Sequence, residues 1–118
     1  MYHARVTVVI LALLSIGAVA AQQSVFIYHG FLTANKYEEY QEGDREPYLM
    51  GVIDGFLAAP AFGAPKKQMA WLESCTQNMP STQIAAIVDK FLREHPERWK
   101  EGMNVLVQAA MWDACHRR

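Results

Sequence analysis

The chain has 118 residues, which is the size of one small domain, and it balances 12 Asp and Glu against 11 Lys and Arg. A chain without an excess of basic residues is not typical of a nucleic-acid-binding protein or of one drawn to anionic lipid. The hydrophobic fraction of 52% permits a packed core and excludes a wholly disordered chain.

The first 20 residues predict a secretory signal peptide. Arg5 precedes an apolar run from Val6 to Ala20, and Ala18-Val19-Ala20 offers the small residues that signal peptidase requires. The run is about 15 residues long, shorter than a membrane-spanning helix. We therefore expect cleavage near Ala20 or Ala21, and a mature domain over residues 21–118 that is periplasmic or secreted and has no membrane contact.

The pattern after residue 30 is helical. Thr33 or Asn35 can cap a first helix, and Gly43 is expected to end it. Asp44 then predicts the start of a second helix, which runs to the break at Pro60. Residues 48–59 are apolar on almost every side, which is typical of a buried central helix.

Two features interrupt this apolar helix. Gly51 and Gly55 form a smooth stripe that allows close approach of another helix, either within the domain or across a homodimer seam. Asp54 is its one charge, and it is interpreted as a structural contact to Arg98, Lys100 or a helix N-terminus, or else as a perturbed carboxylate that marks a site.

Three further segments follow Pro60. A loop leads to a short helix from Lys66 to Ser74, and Ser81 is expected to cap the next helix. Pro96 ends that helix and is expected to begin the last one. The apolar stripe of the fourth helix contains Ile84, Ile87, Val88, Phe91 and Leu92, and that of the last contains Trp99, Met103, Leu106, Ala110 and Ala114.

Two cysteines, Cys75 and Cys115, lie in the exported part of the chain. An oxidising compartment favours their pairing, which would contribute about 4 kcal/mol, although a free functional thiol is the alternative. The sequence thus predicts an all-α fold, a compact bundle of four to five short helices joined by one disulfide.

No catalytic constellation is recognisable. The mature histidines His29, His95 and His116 are scattered and have no metal-ligand spacing, so we expect no metal, no cofactor and no enzyme activity. The three tryptophans fall on or beside apolar stripes, and Trp112 is the one expected at an edge of the core.

Three segments resemble the Rap/Tai family: Phe31–Asn35, Tyr48–Gly55 and Phe91–Arg98. The resemblance extends from Phe31 to Cys115, and its most specific parts are Cys115 and the segment His95-Pro96-Glu97-Arg98. It implies a periplasmic immunity protein that neutralises a peptidoglycan amidase effector of type VI secretion. It also implies a helical, disulfide-bonded and often dimeric domain, related in architecture to the acid chaperone HdeA.

This resemblance makes a protein partner, such as a secreted cell-wall amidase, the leading hypothesis. The loop from Pro60 to Lys67 is the candidate contact, with Phe62 as apolar anchor, Gly63 beside it, and Lys66 and Lys67 at its rim. The alternative for this loop is an ordinary helix connection with Phe62 packed inward. The alternatives for the protein are a periplasmic stress chaperone of the HdeA type and an orphan periplasmic protein of unknown partner.

Overall fold

The computed structural model describes residues 30–117, so the predicted signal peptide and the segment before Gly30 lie outside the described residues. Within this range the helices are α1 (Ala34–Glu38), α2 (Glu42–Ala58), α3 (Lys66–Thr76), α4 (Ser81–Glu94) and α5 (Met103–His116). Two 3-10 turns, Ala59–Phe62 and Pro96–Arg98, join α2 to α3 and α4 to α5. The all-α prediction is confirmed, and none of these helices is long and apolar enough to cross a membrane.

The core lies mainly between α4 and α5, which pack extensively against each other. Burial of each large side chain there contributes about 1.5–3 kcal/mol. The predicted stripe of α4 faces this core, with Ile87 at its margin. The buried members from the two helices are Ile84, Val88, Phe91, Leu92, Met103, Leu106, Val107, Ala110 and Met111.

The second helix covers one side of this core instead of forming its centre. Leu49 and Ile53, four residues apart, are buried, whereas Gly51, Asp54 and Gly55 are exposed. The prediction of a central buried helix is therefore wrong. Because α4 and α5 already fill the centre, α2 has one face against them and the other in solvent.

The boundary between α1 and α2 also differs from the prediction. Gly43 lies inside α2, and Asp44 does not cap it. The chain leaves α1 earlier because Arg45 donates hydrogen bonds to the carbonyl of Glu38 (2.7 Å) and to that of Tyr40 (3.1 Å). These bonds satisfy carbonyls that the end of a helix leaves without partners.

Tertiary contacts hold the short first helix in place. Thr33 is its N-cap residue but makes no side-chain capping bond. Instead, the amides of Ala34 and Asn35 donate to the carbonyls of Glu101 (3.2 Å) and Trp99 (2.9 Å). The first turn of α1 is thus satisfied by the segment that precedes α5.

Tyr37 attaches the other side of α1 to the bundle. Its buried ring packs 6.0 Å from that of Tyr48, and the Arg45 guanidinium lies 5.2 Å from its centroid. Its hydroxyl donates to Asp89 at 3.2 Å. Burial, reinforced by the Asp89 carboxylate, raises the pKa of Tyr37 well above its usual range.

Two later helices begin at positions that differ from the prediction. Ser81 is the first residue of α4, not its cap, and its hydroxyl donates to Glu46 of α2. The last helix begins at Met103 and not at Pro96, because the chain before it pairs with the segment before α1. That pairing consists of a bridge between Thr33 and Gly102 and a 2.7 Å bond from the Met103 amide to the carbonyl of residue 32.

The predicted disulfide is confirmed. Cys75 near the end of α3 is bonded to Cys115 near the end of α5, with their Cα atoms 5.9 Å apart. No free cysteine remains among residues 30–117, which rules out the functional-thiol alternative there. The bond joins the helices that follow the two 3-10 turns.

Candidate partner-binding surface

The connection between α2 and α3, residues 59–65, is a largely exposed turn, here called the tip. Pro60 lies in its 3-10 turn, and the amides of Gly63 and Ala64 donate to the carbonyls of Pro60 and Ala59, each at 3.2 Å. Gly63 has φ +100°, which is the left-handed region that favours glycine. Pro65 then precedes α3. The tip is thus a short turn restrained by two prolines and its own backbone bonds.

Phe62 at this tip points into solvent. Its exposed fraction is 88%, the highest of any large hydrophobic residue in the described part of the chain. The alternative of a connection with Phe62 packed inward is therefore wrong. Burial of a phenylalanine side chain contributes about 1.5–3 kcal/mol. A partner that covers this exposed ring would therefore gain binding free energy.

Lys66 and Lys67 lie beside the tip, in the first turn of α3. Both are exposed, and neither makes an ion pair with any residue between 30 and 117. The positive end of the helix dipole disfavours cations at this position, and no acidic residue of that turn compensates. These charges therefore add nothing to the stability of α3 and are available to an acidic surface.

A shallow groove of about 510 Å³ adjoins the two lysines. Leu57 and Pro60 line it from the α2 side, and Met69 and Ala70 line it from α3. The four predicted contact residues are thus all exposed at this connection, and the two lysines line a groove that the sequence did not reveal.

The glycine stripe of α2 contacts no other helix. A Cβ added at Gly51 or at Gly55 would meet nothing within 4 Å, so the prediction of close packing within the domain is wrong. Asp54 is exposed beside them and makes no hydrogen bond or ion pair in the described chain, so the structural contact predicted for it is wrong as well. Because α2 uses only its opposite face for packing, all three residues lie on open surface.

The segment from His95 to Gly102, here called the corner, has the opposite character. The His95 ring packs on Phe91 at a 41° tilt with centroids 4.3 Å apart, and Arg98 donates two hydrogen bonds of 2.9 and 2.7 Å to Glu101. The Trp99 indole donates to the carbonyl at residue 92 at 2.8 Å. Pro96 begins the 3-10 turn, and Glu97 contacts His95 at 3.2 Å. The side chains of the His95-Pro96-Glu97-Arg98 segment thus contact other residues of the domain.

No site for metal chemistry lies in the described part of the chain. Between residues 30 and 117, no three His, Cys, Asp or Glu side chains converge where they could hold an ion. The features that remain as a candidate site are those of a protein contact surface, namely an exposed aromatic ring, free cations and a groove.

Comparison with known proteins supports this interpretation. The sequence model of the family described as Rap1a immunity proteins matches residues 30–115, which include both the tip and the corner. No curated protein and no solved structure matches the chain.

Proposed function

The chain belongs to the Rap1a immunity protein family, and from this premise we propose that it inhibits an effector by direct contact through the α2–α3 tip. The family implies a protein partner. The finer proposal is that this partner is a peptidoglycan amidase delivered by type VI secretion, and that inhibition takes place in the periplasm without any reaction catalysed by this chain.

The exposure of Phe62 is the observation that carries the proposal. An aromatic ring held on an exposed turn can enter a concave active site and exclude the substrate from it. Pro60, Pro65 and the 3-10 turn already restrain the tip, so little conformational entropy is lost when it binds.

The two lysines suggest what surrounds that cleft. Lys66 and Lys67 are unpaired on a domain whose mature segment has more acidic than basic residues. Such a local positive patch accelerates association with an effector whose cleft has an acidic rim, and it orients the tip as the two proteins approach. We therefore propose that the cleft of the effector has an apolar floor and acidic residues at its mouth.

Export is supported by two independent features. Residues 1–20 have the charge and apolar pattern of a signal peptide. The Cys75–Cys115 bond is of the kind that persists in oxidising compartments such as the periplasm. Detection of the mature N-terminus near Ala21 in a periplasmic fraction, by mass spectrometry, is the expected result.

The test of the proposal is inhibition of a candidate amidase. A peptidoglycan amidase, taken from the neighbouring gene where one is encoded there, is mixed with the mature chain, and peptidoglycan cleavage is measured. We expect stoichiometric inhibition that Phe62→Ala and Lys66→Glu both weaken. Phe31→Ala is the matched control, because Phe31 is also exposed, at 73%, but lies away from the tip in sequence. Equal inhibition by all four proteins would refute the role of the tip.

We further propose that two copies associate through the exposed stripe of α2. Two glycines on an exposed helix cost about 1 kcal/mol each relative to alanine, and no contact within the domain explains them. A smooth stripe allows a second helix to approach closely. Sedimentation should show a dimer that Gly51→Leu converts to a monomer, whereas a wild-type monomer at all concentrations would contradict this contact.

A further inference from the structure

A second surface, on the side where α4 and α5 meet the corner, takes no part in the proposed inhibition. It is a groove of about 490 Å³, within the size range of ligand sites. Phe91, Val105 and Ala109 give it an apolar floor, and Trp112 of α5 borders it. Trp112 is 51% exposed, so a large indole surface is open to solvent here.

Trp112 is held rigidly although it is exposed. The His116 ring stacks on it with centroids 3.7 Å apart and planes 24° apart, and Trp71 makes a T-shaped contact with it at a centroid distance of 5.0 Å. His116 is itself fixed by a 2.9 Å contact between its Nδ1 and the Trp112 carbonyl oxygen. Neither His116 nor Trp71 lines the groove, so the indole surface facing it is not covered by these rings. A ligand would meet a platform that is already ordered.

The far side of the groove is ordered in the same way. Phe91 is covered by the His95 ring at 4.3 Å and by the Arg98 guanidinium at 5.6 Å. Both His95 and Arg98 line the groove, and Phe91 beneath them is only 7% exposed, so this side presents an imidazole and a guanidinium that pack on a buried ring.

The charges around the groove neutralise one another. Arg117 binds Asp113 at 2.6 Å, and Arg98 binds Glu101 at 2.7 Å. An ionic ligand would therefore compete with an internal partner for either guanidinium. The donors of Arg117, the carboxylate of Asp113 and the amide of Gln108 still provide hydrogen bonds at the rim. This combination suits a neutral ligand with one apolar face and a polar edge.

We propose that this groove binds a short glycan. One face of a pyranose ring presents C–H groups, which pack on an indole, while its hydroxyls radiate toward the rim. A sugar ring on Trp112 would place its hydroxyls within reach of Gln108 and of the Arg117–Asp113 pair. A protein interface is less favoured, because a standard one needs about 800 Å² on each partner, more than this single groove provides.

Titration with the β-1,4-linked tetramer of N-acetylglucosamine tests the inference on the mature chain. Indole fluorescence and 1H–15N NMR spectra should show saturable binding with a Kd of about 0.1–5 mM. The largest shifts should fall on the Trp112 side chain and on Gln108. We expect Trp112→Ala to weaken binding at least about tenfold and Gln108→Ala about threefold.

Phe62→Ala is the control and should leave the titration unchanged, since the inference does not rest on the proposed inhibition. If Trp112→Ala does not fold, the expected loss in Gln108→Ala and the NMR map of the wild type still decide the question. The inference is overturned if the wild type shows no saturable shift below about 20 mM. Shifts elsewhere, full binding in Gln108→Ala, or a proline-rich peptide that binds where the sugar does not would also overturn it.

Discussion

The tip and the corner are both helix connections built on a proline and a 3-10 turn, yet their side chains behave in opposite ways. At the corner, His95, Arg98 and Trp99 bind neighbouring residues, and the backbone accepts the first turn of α1. At the tip, the bonds are those of the turn itself, and Phe62 extends into solvent.

This difference indicates that the corner holds the fold together, whereas the tip is available to bind a partner. The corner contains the motif by which the sequence resembles its family, and the structure uses that motif to join α4, α5 and α1. The tip contributes little to the core, so its aromatic ring and lysines are available for a partner. Substitutions at the corner should therefore lower stability and spare affinity, and those at the tip should do the reverse.

The largest expected effect comes from the disulfide, which links the helix after the tip to the helix after the corner. Cys75→Ala combined with Cys115→Ala opens a loop of about 40 residues and should cost about 4 kcal/mol in the free energy of unfolding. Urea titration measures the loss. Reduction of the wild type should give a similar loss, and a loss below about 1 kcal/mol would show that packing alone holds the two regions together.

At the tip, Phe62→Ala should weaken effector binding by about 2 kcal/mol, or roughly thirtyfold, because an anchoring aromatic ring is lost. Its unfolding free energy should change by less than about 0.5 kcal/mol, since the ring is 88% exposed. Calorimetric titration and urea unfolding of the same preparation measure both quantities. A stability loss as large as the affinity loss would remove the distinction between the two turns.

At the corner, Trp99→Phe should have the opposite profile. The variant removes the indole N–H that donates to the carbonyl at residue 92 and leaves a smaller ring, at a cost of about 1–2 kcal/mol in stability. Effector affinity should stay within about twofold of the wild type. A large loss of affinity in a variant that is still folded would place the corner in the interface.

Gly63→Ala has the smallest expected effect. It should change stability and affinity together, unlike the two preceding variants. A Cβ at Gly63 meets nothing within 4 Å, so the cost is that of the positive φ alone, about 1 kcal/mol. Because the turn must shift to relieve it, both stability and affinity should fall modestly. Gly43→Ala, in the first part of α2 with an ordinary φ, is the matched control and should not lower either quantity.

Local sequence signals predicted some of these features. The apolar stripe of α4 is continuous and amphipathic, and the helix break before Pro96 follows from proline geometry, so both were correct. The pairing of Cys75 with Cys115 followed from composition and the expected compartment. The exposure of Lys66 and Lys67 agrees with their predicted place at the rim of the loop, and their contact with a partner stays a prediction.

Long-range contacts decided the features that sequence reasoning missed. Arg45 donates to the carbonyl of Glu38 at the end of α1 and to that of Tyr40 just after it, and the helix ends before Gly43. Because Gly102 forms a bridge with Thr33, α5 begins at Met103 instead of at Pro96. The exposed side of α2 and the groove beside Trp112 depend on which helix fills the centre, and no single segment encodes that choice.

Amide hydrogen exchange of this chain, alone and in complex with its effector, tests the central claim most directly. The account predicts that binding slows exchange in residues 59–70, at the tip and the start of α3, and leaves residues 95–102 of the corner unchanged. Protection at the corner with none at the tip would contradict it.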